Sequence, residues 1–190
     1  CTPFEPSVSI PFFTFFPKQF EVIPRIDDST IVSHIDVMPT LLECAGLQIP
    51  SFCEGISLLS QSQENSQKPV RDFLHGEHSP GLRRSESWQF IIRKNDKYIW
   101  DATSGRERYF DLRKDPFEIT DKINDNNYSD NIAECRGILI NLLKQRNQDE
   151  LVEGGKLKSG NPLPACREEI LHPCLDYDGK TRPTEFWLGS

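Results

Sequence analysis

The sequence is short of the features that mark several large classes of protein. Across 190 residues it has no excess of positive charge: 22 Lys and Arg stand against 29 Asp and Glu, a formal net charge of −7. Affinity for phosphate backbones comes from clustered Lys and Arg, so this balance argues against a nucleic-acid binder, and the pair Arg83, Arg84 is too small to reverse it. No apolar run approaches the roughly 20 residues that cross a bilayer, so no membrane span is expected. The six cysteines (Cys1, Cys44, Cys53, Cys135, Cys166, Cys174) lack Cys-x-x-Cys spacing, which argues against zinc ribbons and thioredoxin-type motifs. Cys44 with Cys53 and Cys166 with Cys174 are the near neighbours that can pair if the protein is secreted. The start shows neither a basic region before an apolar run nor a small-residue cleavage site, so no signal peptide is read there. With no initiating Met before "CTPFE", the chain reads as the C-terminal part of something longer.

What is present is organised. "SIPFFTFFP" (Ser9 to Pro17) is an aromatic run bounded by prolines, read as a buried strand at the end of a sheet whose other strands lie mostly elsewhere. Phe12, Phe13, Phe15 and Phe16 are then core residues, because no cations alternate with them as in a stacking platform. Ser33 with Asp36 makes a capping-box-like helix start, Leu41 and Leu42 continue an apolar face, and Gly46 before Pro50 ends it. Pro39 falls early in that helix, where its missing N–H matters least. Residues 60–69, "SQSQENSQKP", are polar and read as a flexible surface loop.

From Pro69 the pattern changes. "VRDFLHGEH", "WQFIIRKNDKYIW" and "RERYFDL" are short strands broken by the turn chemistry of "KND" and "ATSG", which predicts an antiparallel meander of three or four strands. "DPFEITDKIND" follows as a polar turn, with Asp111, Asp115 and Glu118 positioning the last helix. Ile132, Cys135, Ile138, Leu139, Leu142 and Leu143 recur at helical spacing and predict a helix from about Ser129 to Arg146. The stretch from "EGGKLKSG" onward is expected to wrap the surface, and there are no internal repeats.

The densest group of site-type residues is "HGEHS", His75 to Ser79. On a strand, His75 and Glu77 share one face and His78 takes the other, so three of them meet on one metal only if the chain bends at Gly76. His75 and His78 are therefore candidate substrate-binding residues, where an imidazole binds an anion or donates a proton. The competing reading is a strand-end turn with hydrogen-bonded histidines. His34, in the first turn of the capped helix, suits capping or packing. Asp27 and Asp28 are read as a solvated turn before calcium ligands. His172 receives no role.

Three stretches, in this order, resemble the C-terminal third of a sulfatase within the alkaline-phosphatase-like superfamily. "TPFEPSVSIPFFTFFP" is similar to the family's Tyr/Phe-Glu-Gly-x-x-Arg-x-Pro segment. "VSHIDVMPTLLECAGLQIP...EGISLL" resembles its Asp-x-x-Pro-Thr-Leu-Leu helix and the Gly-x-Ser-Leu that follows. "DKYIW....GRERYFDLRKDPFE" resembles its Lys-Tyr and Leu/Phe-Asp-Leu-x-x-Asp-Pro-x-Glu run, and "LLKQR" with "GGKL" looks like the arylsulfatase branch. The resemblance runs from Thr2 to about Leu157. It implies an α/β fold: residues 1–59 as the end of a large sulfatase-type sheet domain, 60–69 as a loop, 70–160 as a small antiparallel sheet packed by one amphipathic helix, and 161–190 unassigned.

The resemblance also decides the status of Cys1. "CTPFE" is like the Cys-x-Pro-x-Arg motif whose cysteine becomes the formylglycine nucleophile, but Glu5 stands where that motif has its arginine. The alignment instead puts Cys1 just after the family's active-site lysine. It follows that the formylglycine and the divalent cation, calcium in the family, are expected upstream, and that this chain carries no catalytic residue and no metal ligand. The partners implied are a sulfate-ester substrate and the N-terminal part of the same sulfatase, in an extracytoplasmic setting that six cysteines permit. Pro6 departs from the family glycine and Ser9 from its arginine. Two alternatives accompany the hydrolysis of sulfate esters: a non-catalytic sulfatase-fold binding or structural protein, and a phosphate or phosphonate ester hydrolase of the same superfamily.

Overall fold

Among the described residues, four strands in sequence order make one extended sheet: β1 (Phe73–His78), β2 (Trp88–Arg93), β3 (Asp96–Asp101) and β4 (Glu107–Asp111), each antiparallel to the next. The computed structural model describes residues 2–24, 26, 30–63, 71–78 and 87–160. The meander read from the alternating pattern is therefore present. β2 and β3 are joined through Lys94 and Asn95 alone, and in the next turn the Asp101 carboxylate accepts the N–H groups of Thr103 (2.9 Å) and Ser104 (2.8 Å). That bond pattern is why Asp opens the turn, since its side chain satisfies amides the ladder cannot reach.

The register gives the two faces of the sheet different tasks. His75 pairs with Ile91, Ile91 with Tyr98, and Tyr98 with Tyr109, so one face presents Phe73, Ile91, Tyr98, Trp100 and Tyr109. Helix α4 (Ser129–Gln145) covers that face with Ile132, Cys135, Leu139 and Leu143, all buried. The spacing of three, four and four residues is one stripe of a helix. The opposite face carries Phe90, Ile99 and Phe110, and there Phe4 and Val8 of the N-terminal segment close over it. A sheet covered on both faces explains why β3 is buried almost throughout.

Before the sheet, the second helix forms as the capping signal requires. Ser33 donates its N–H to the Asp36 carboxylate at 2.8 Å, a short turn His34–Asp36 follows, and α2 runs Val37–Cys44 with Gly46 at φ +68 beyond it. His34 is exposed and takes no capping bond; the cap belongs to Asp36. α1 (Glu5–Val8) carries Pro6 at its first turn, where proline's fixed φ and missing N–H are tolerated. The substitution of proline for glycine is thus absorbed by the backbone.

Three expectations are corrected. Ser9–Pro17 forms no strand, and Phe13 (91 % exposed) and Phe15 (94 % exposed) are not core. A strand needs a hydrogen-bonding neighbour, and none of the described strands lies beside this run. Ser60 to Ser62 belong to a short helix, α3 (Leu58–Ser62), because the Ser57 hydroxyl caps it by accepting the Leu59 N–H. "EGGKL" does not simply wrap the surface. Gly154 and Gly155, at φ +57 and +77, turn β5 (Val152–Glu153) onto β6 (Lys156–Leu157), as a two-glycine hairpin turn of mirror-image type demands. Cys44 and Cys53 are both free thiols. Cys1, Asp27, Asp28, Arg83, Arg84, His172, Cys166, Cys174 and most of the 60–69 loop lie outside the described residues.

Candidate functional site

Strand alternation separates the two candidate histidines. His75 faces α4 and is held at both ring nitrogens: Nε2 lies 2.9 Å from Gln89 Oε1 and Nδ1 lies 3.2 Å from an Arg146 guanidinium nitrogen. Arg can only donate, so Nδ1 accepts and Nε2–H donates to the amide oxygen. Burial holds the imidazole below its usual value of 6.5; the Gln89 bond opposes this, and the nearby Arg146 charge adds to it. Arg146 also pairs with Glu54 at 3.0 Å and approaches Glu77 at 3.7 Å. His75 thus joins a bridge between the loop before α3, strand β1 and the end of α4.

His78 lies on the other face. Its ring stacks on Trp88 with centroids 5.2 Å apart and planes 21° from parallel, and Trp88 stacks in turn on Phe90 at 5.9 Å and 24°. Gly76 makes this row possible, because a Cβ there would run into the Phe90 ring. The sequence placed these two histidines on opposite faces. The ring row escaped it, although the cross-strand pairing of His78 with Trp88 follows from the register.

A second feature went unread. The Lys97 ammonium is fully buried between the carboxylates of Glu118 (2.9 Å) and Glu5 (2.6 Å). Glu118 also accepts the Glu5 backbone N–H. Glu118 holds φ +54, an uncommon backbone for glutamate, and its side chain is fully buried. These residues come from "TPFE", "DKY" and "DPFE", so motifs more than a hundred residues apart meet at one ion pair. Glu118 does not position α4 as expected. That is done by Asp111, which accepts from the Tyr128 hydroxyl at 3.0 Å, while Asp115 caps the turn through Thr120 N–H at 2.7 Å.

The Asp-x-x-Pro-Thr stretch is likewise internal wiring. Asp36 is buried; its carboxylate takes the Ile56 N–H at 2.8 Å and a two-nitrogen grip from Arg71, and Thr40 accepts the Leu58 N–H at 2.8 Å. A Cβ at Gly55 would collide with the Ile35 carbonyl. Acidic side chains of the chain are thus widely committed to internal pairs. Among the described residues no three His, Cys, Asp or Glu converge on a point that would hold a metal ion, so these residues do not fit a divalent cation.

The sequence pattern of the family described as N-sulphoglucosamine sulphohydrolase, C-terminal, matches residues 2–145. The chain belongs to the sulfatase family. The sulfatase chain is 38% identical over 171 residues to an arylsulfatase of Clostridium perfringens, which covers 87% of this chain and 34% of that protein. It is 24% identical over 147 residues to a delta 4,5-hexuronate-2-O-sulfatase of Bacteroides thetaiotaomicron, covering 77% of this chain and 31% of that one. A solved 2-O GAG sulfatase superposes with a TM-score of 0.55 at 26% identity, over 60% of this chain and 25% of the other. The chain therefore spans about a third of the length of these curated relatives. No helix among the described residues is long and apolar enough to cross a membrane.

Proposed function

We propose that the protein to which this chain belongs is a sulfatase that hydrolyses sulfate esters. The observation that carries this reading is the 38% identity to an arylsulfatase over 87% of the chain. In it, residues 1–59 are the end of the catalytic α/β domain and 70–160 a C-terminal subdomain that forms part of the cleft wall. The formylglycine nucleophile and the divalent cation belong to the preceding part of the protein, where they would supply the attacking oxygen and offset charge on the sulfate oxygens. This chain alone is then inactive.

Glu5 supports placing the nucleophile elsewhere, since the fifth residue of "CTPFE" is a carboxylate paired with Lys97 where the nucleophile motif has an arginine. The N-terminal part of the same protein is the partner that covers the exposed phenylalanines Phe13 and Phe15. Of the two candidate histidines, His78 is the one we place at the substrate, because His75 already spends both ring nitrogens on Gln89 and Arg146.

The test is to express the reading frame including the segment before Cys1 and to follow sulfate release from p-nitrophenyl sulfate and from sulfated disaccharides. Release is expected from the longer protein and not from residues 1–190. A folded, metal-supplied longer protein that releases no sulfate overturns the reading, as does faster turnover of the matching phosphate or phosphonate esters.

A further inference from the structure

Phe117, Glu118 and Ile119 are packed the wrong way round for their chemistry. Phe117 and Ile119 stand strongly exposed, while the glutamate between them turns its side chain fully inward at φ +54, a backbone that strains any residue but glycine. A local inversion of this kind has its reason in what the buried group meets. Glu118 meets the Lys97 ammonium and the Glu5 backbone N–H, and Lys97 reaches on to the Glu5 carboxylate, so the three residues close a ring. Glu5 is thereby held by main chain and side chain at once. Phe4 beside it is gripped as well: its ring meets Phe110 edge-on, with centroids 6.0 Å apart and planes at 72°, and the Arg108 guanidinium lies 5.6 Å from its centre.

Apolar contact alone would keep this segment on the sheet, as it does for Val8, but the hydrophobic effect has no direction and tolerates sliding and rotation. Charge-assisted contacts to both the main chain and the side chain of one residue do not. Buried ion pairs add little net stability over apolar packing, so orientation is what this ring contributes. We propose that Lys97 and Glu118 are positioning residues for the hydrolysis: acting through Glu5, they set the segment Thr2–Val8, and with it the part of the protein that leads into this segment, so that the ester meets the nucleophile in one geometry. This rests on the sulfatase reading, in which the nucleophile belongs to that preceding part.

The experiment uses the full-length protein with p-nitrophenyl sulfate and compares Lys97→Met and Glu5→Gln with Leu139→Ala, which weakens the opposite face of the same sheet. All three are assayed where circular dichroism shows them folded. Lys97→Met and Glu5→Gln are expected to lower kcat per folded molecule by about tenfold or more, the scale on which small misplacements of reacting groups act, with KM within about twofold. Leu139→Ala should keep both constants within about twofold of the wild type, a split that loss of stability alone would not give. Glu5→Gln keeps the size of the side chain and carries the test should Lys97→Met fail to fold. An unchanged kcat in Glu5→Gln, or an equal fall in Leu139→Ala, overturns the proposal.

If the full-length wild type hydrolyses no sulfate ester, the sulfatase reading fails separately, and the fixing of the segment is read by amide hydrogen exchange in the same protein. The amides of Glu5 and Ser9, which bond to the Glu118 carboxylate and the Glu5 carbonyl, should exchange about tenfold faster in Glu5→Gln, while the amides of β3 keep their rates. Equal rates in wild type and variant, or a rise shared by β3, overturn it.

Discussion

The two parts of this chain solve the problem of burying apolar surface in opposite ways. Between Ile10 and Phe52, eleven large hydrophobic side chains stand strongly exposed; beyond residue 71 the described residues leave only Phe117 and Ile119 so. In the later part every face of the sheet has a cover, α4 on one side and the N-terminal segment on the other. In the earlier part order comes from hydrogen bonds and buried charge, as in the Ser33–Asp36 cap and the Arg71–Asp36 pair, and not from a closed core. In the described residues, then, the later part closes its core with covers on both faces, while the earlier part leaves a broad apolar surface exposed.

The contrast breaks most sharply at Lys97. Lys97→Met leaves the carboxylates of Glu118 and Glu5 in a buried site without their cation. Stranding one member of a buried pair costs about 3–5 kcal/mol. Urea unfolding of the 190-residue chain should show that loss, and a loss below about 1 kcal/mol would mean that water reaches the pair. Next in size is Leu139→Ala, in the stripe that α4 sets on the sheet, where Leu139 is fully buried. The lost contacts and the cavity together should cost about 3 kcal/mol, measured in the same way.

These two sites differ in how far the sequence revealed them. Leu139 was legible, because a helix stripe is a local pattern and the neighbours Ile132, Cys135 and Leu143 repeat it. The meander was legible for the same reason, through period-two alternation and turn residues. Lys97 was not: charged residues on a strand read as solvent-facing, and nothing near it announces Glu5 or Glu118. The same limit made Ser9–Pro17 look like core, since whether an aromatic run is buried depends on a neighbour the run does not encode. Gly154-Gly155 did carry a hairpin signal that composition obscured. For the histidines, alternation gave their faces correctly, yet the Arg146 that occupies His75 lies 71 residues away.

A smaller effect sharpens the boundary between the parts, because His75, Glu77, Arg146 and Glu54 bridge them. The fold favours neutral His75, with its pKa below 6.5 chiefly through burial. Such a group contributes stability that is full above 6.5 and is lost as pH falls through the folded value, where the unfolded chain has already taken up its proton. Stability should therefore decline between pH 7.5 and pH 5 by more in the wild type than in His75→Gln, which keeps hydrogen-bonding capacity without a titrating ring. Parallel declines in the two proteins would show that groups other than His75 govern this range.

The smallest effect on stability is expected where the exposure is greatest. Phe13 and Phe15 are 91 % and 94 % exposed, so Phe13→Ser with Phe15→Ser removes almost no buried area and should change the unfolding free energy of the 190-residue chain by less than about 0.5 kcal/mol. The same double change should lower the binding of a hydrophobic dye and reduce self-association of this chain, because those rings are the most exposed aromatic side chains among the described residues. In the longer protein the effect grows: there the rings are expected to be covered, and the double change should cost several kcal/mol, as the loss of two buried aromatic side chains does. A substitution that is silent in the chain and damaging in the whole protein separates an interface from a surface. If it is silent in both, Ser9–Pro17 faces solvent throughout, and the earlier part of the chain must hold its order by its capped helix and buried charges alone.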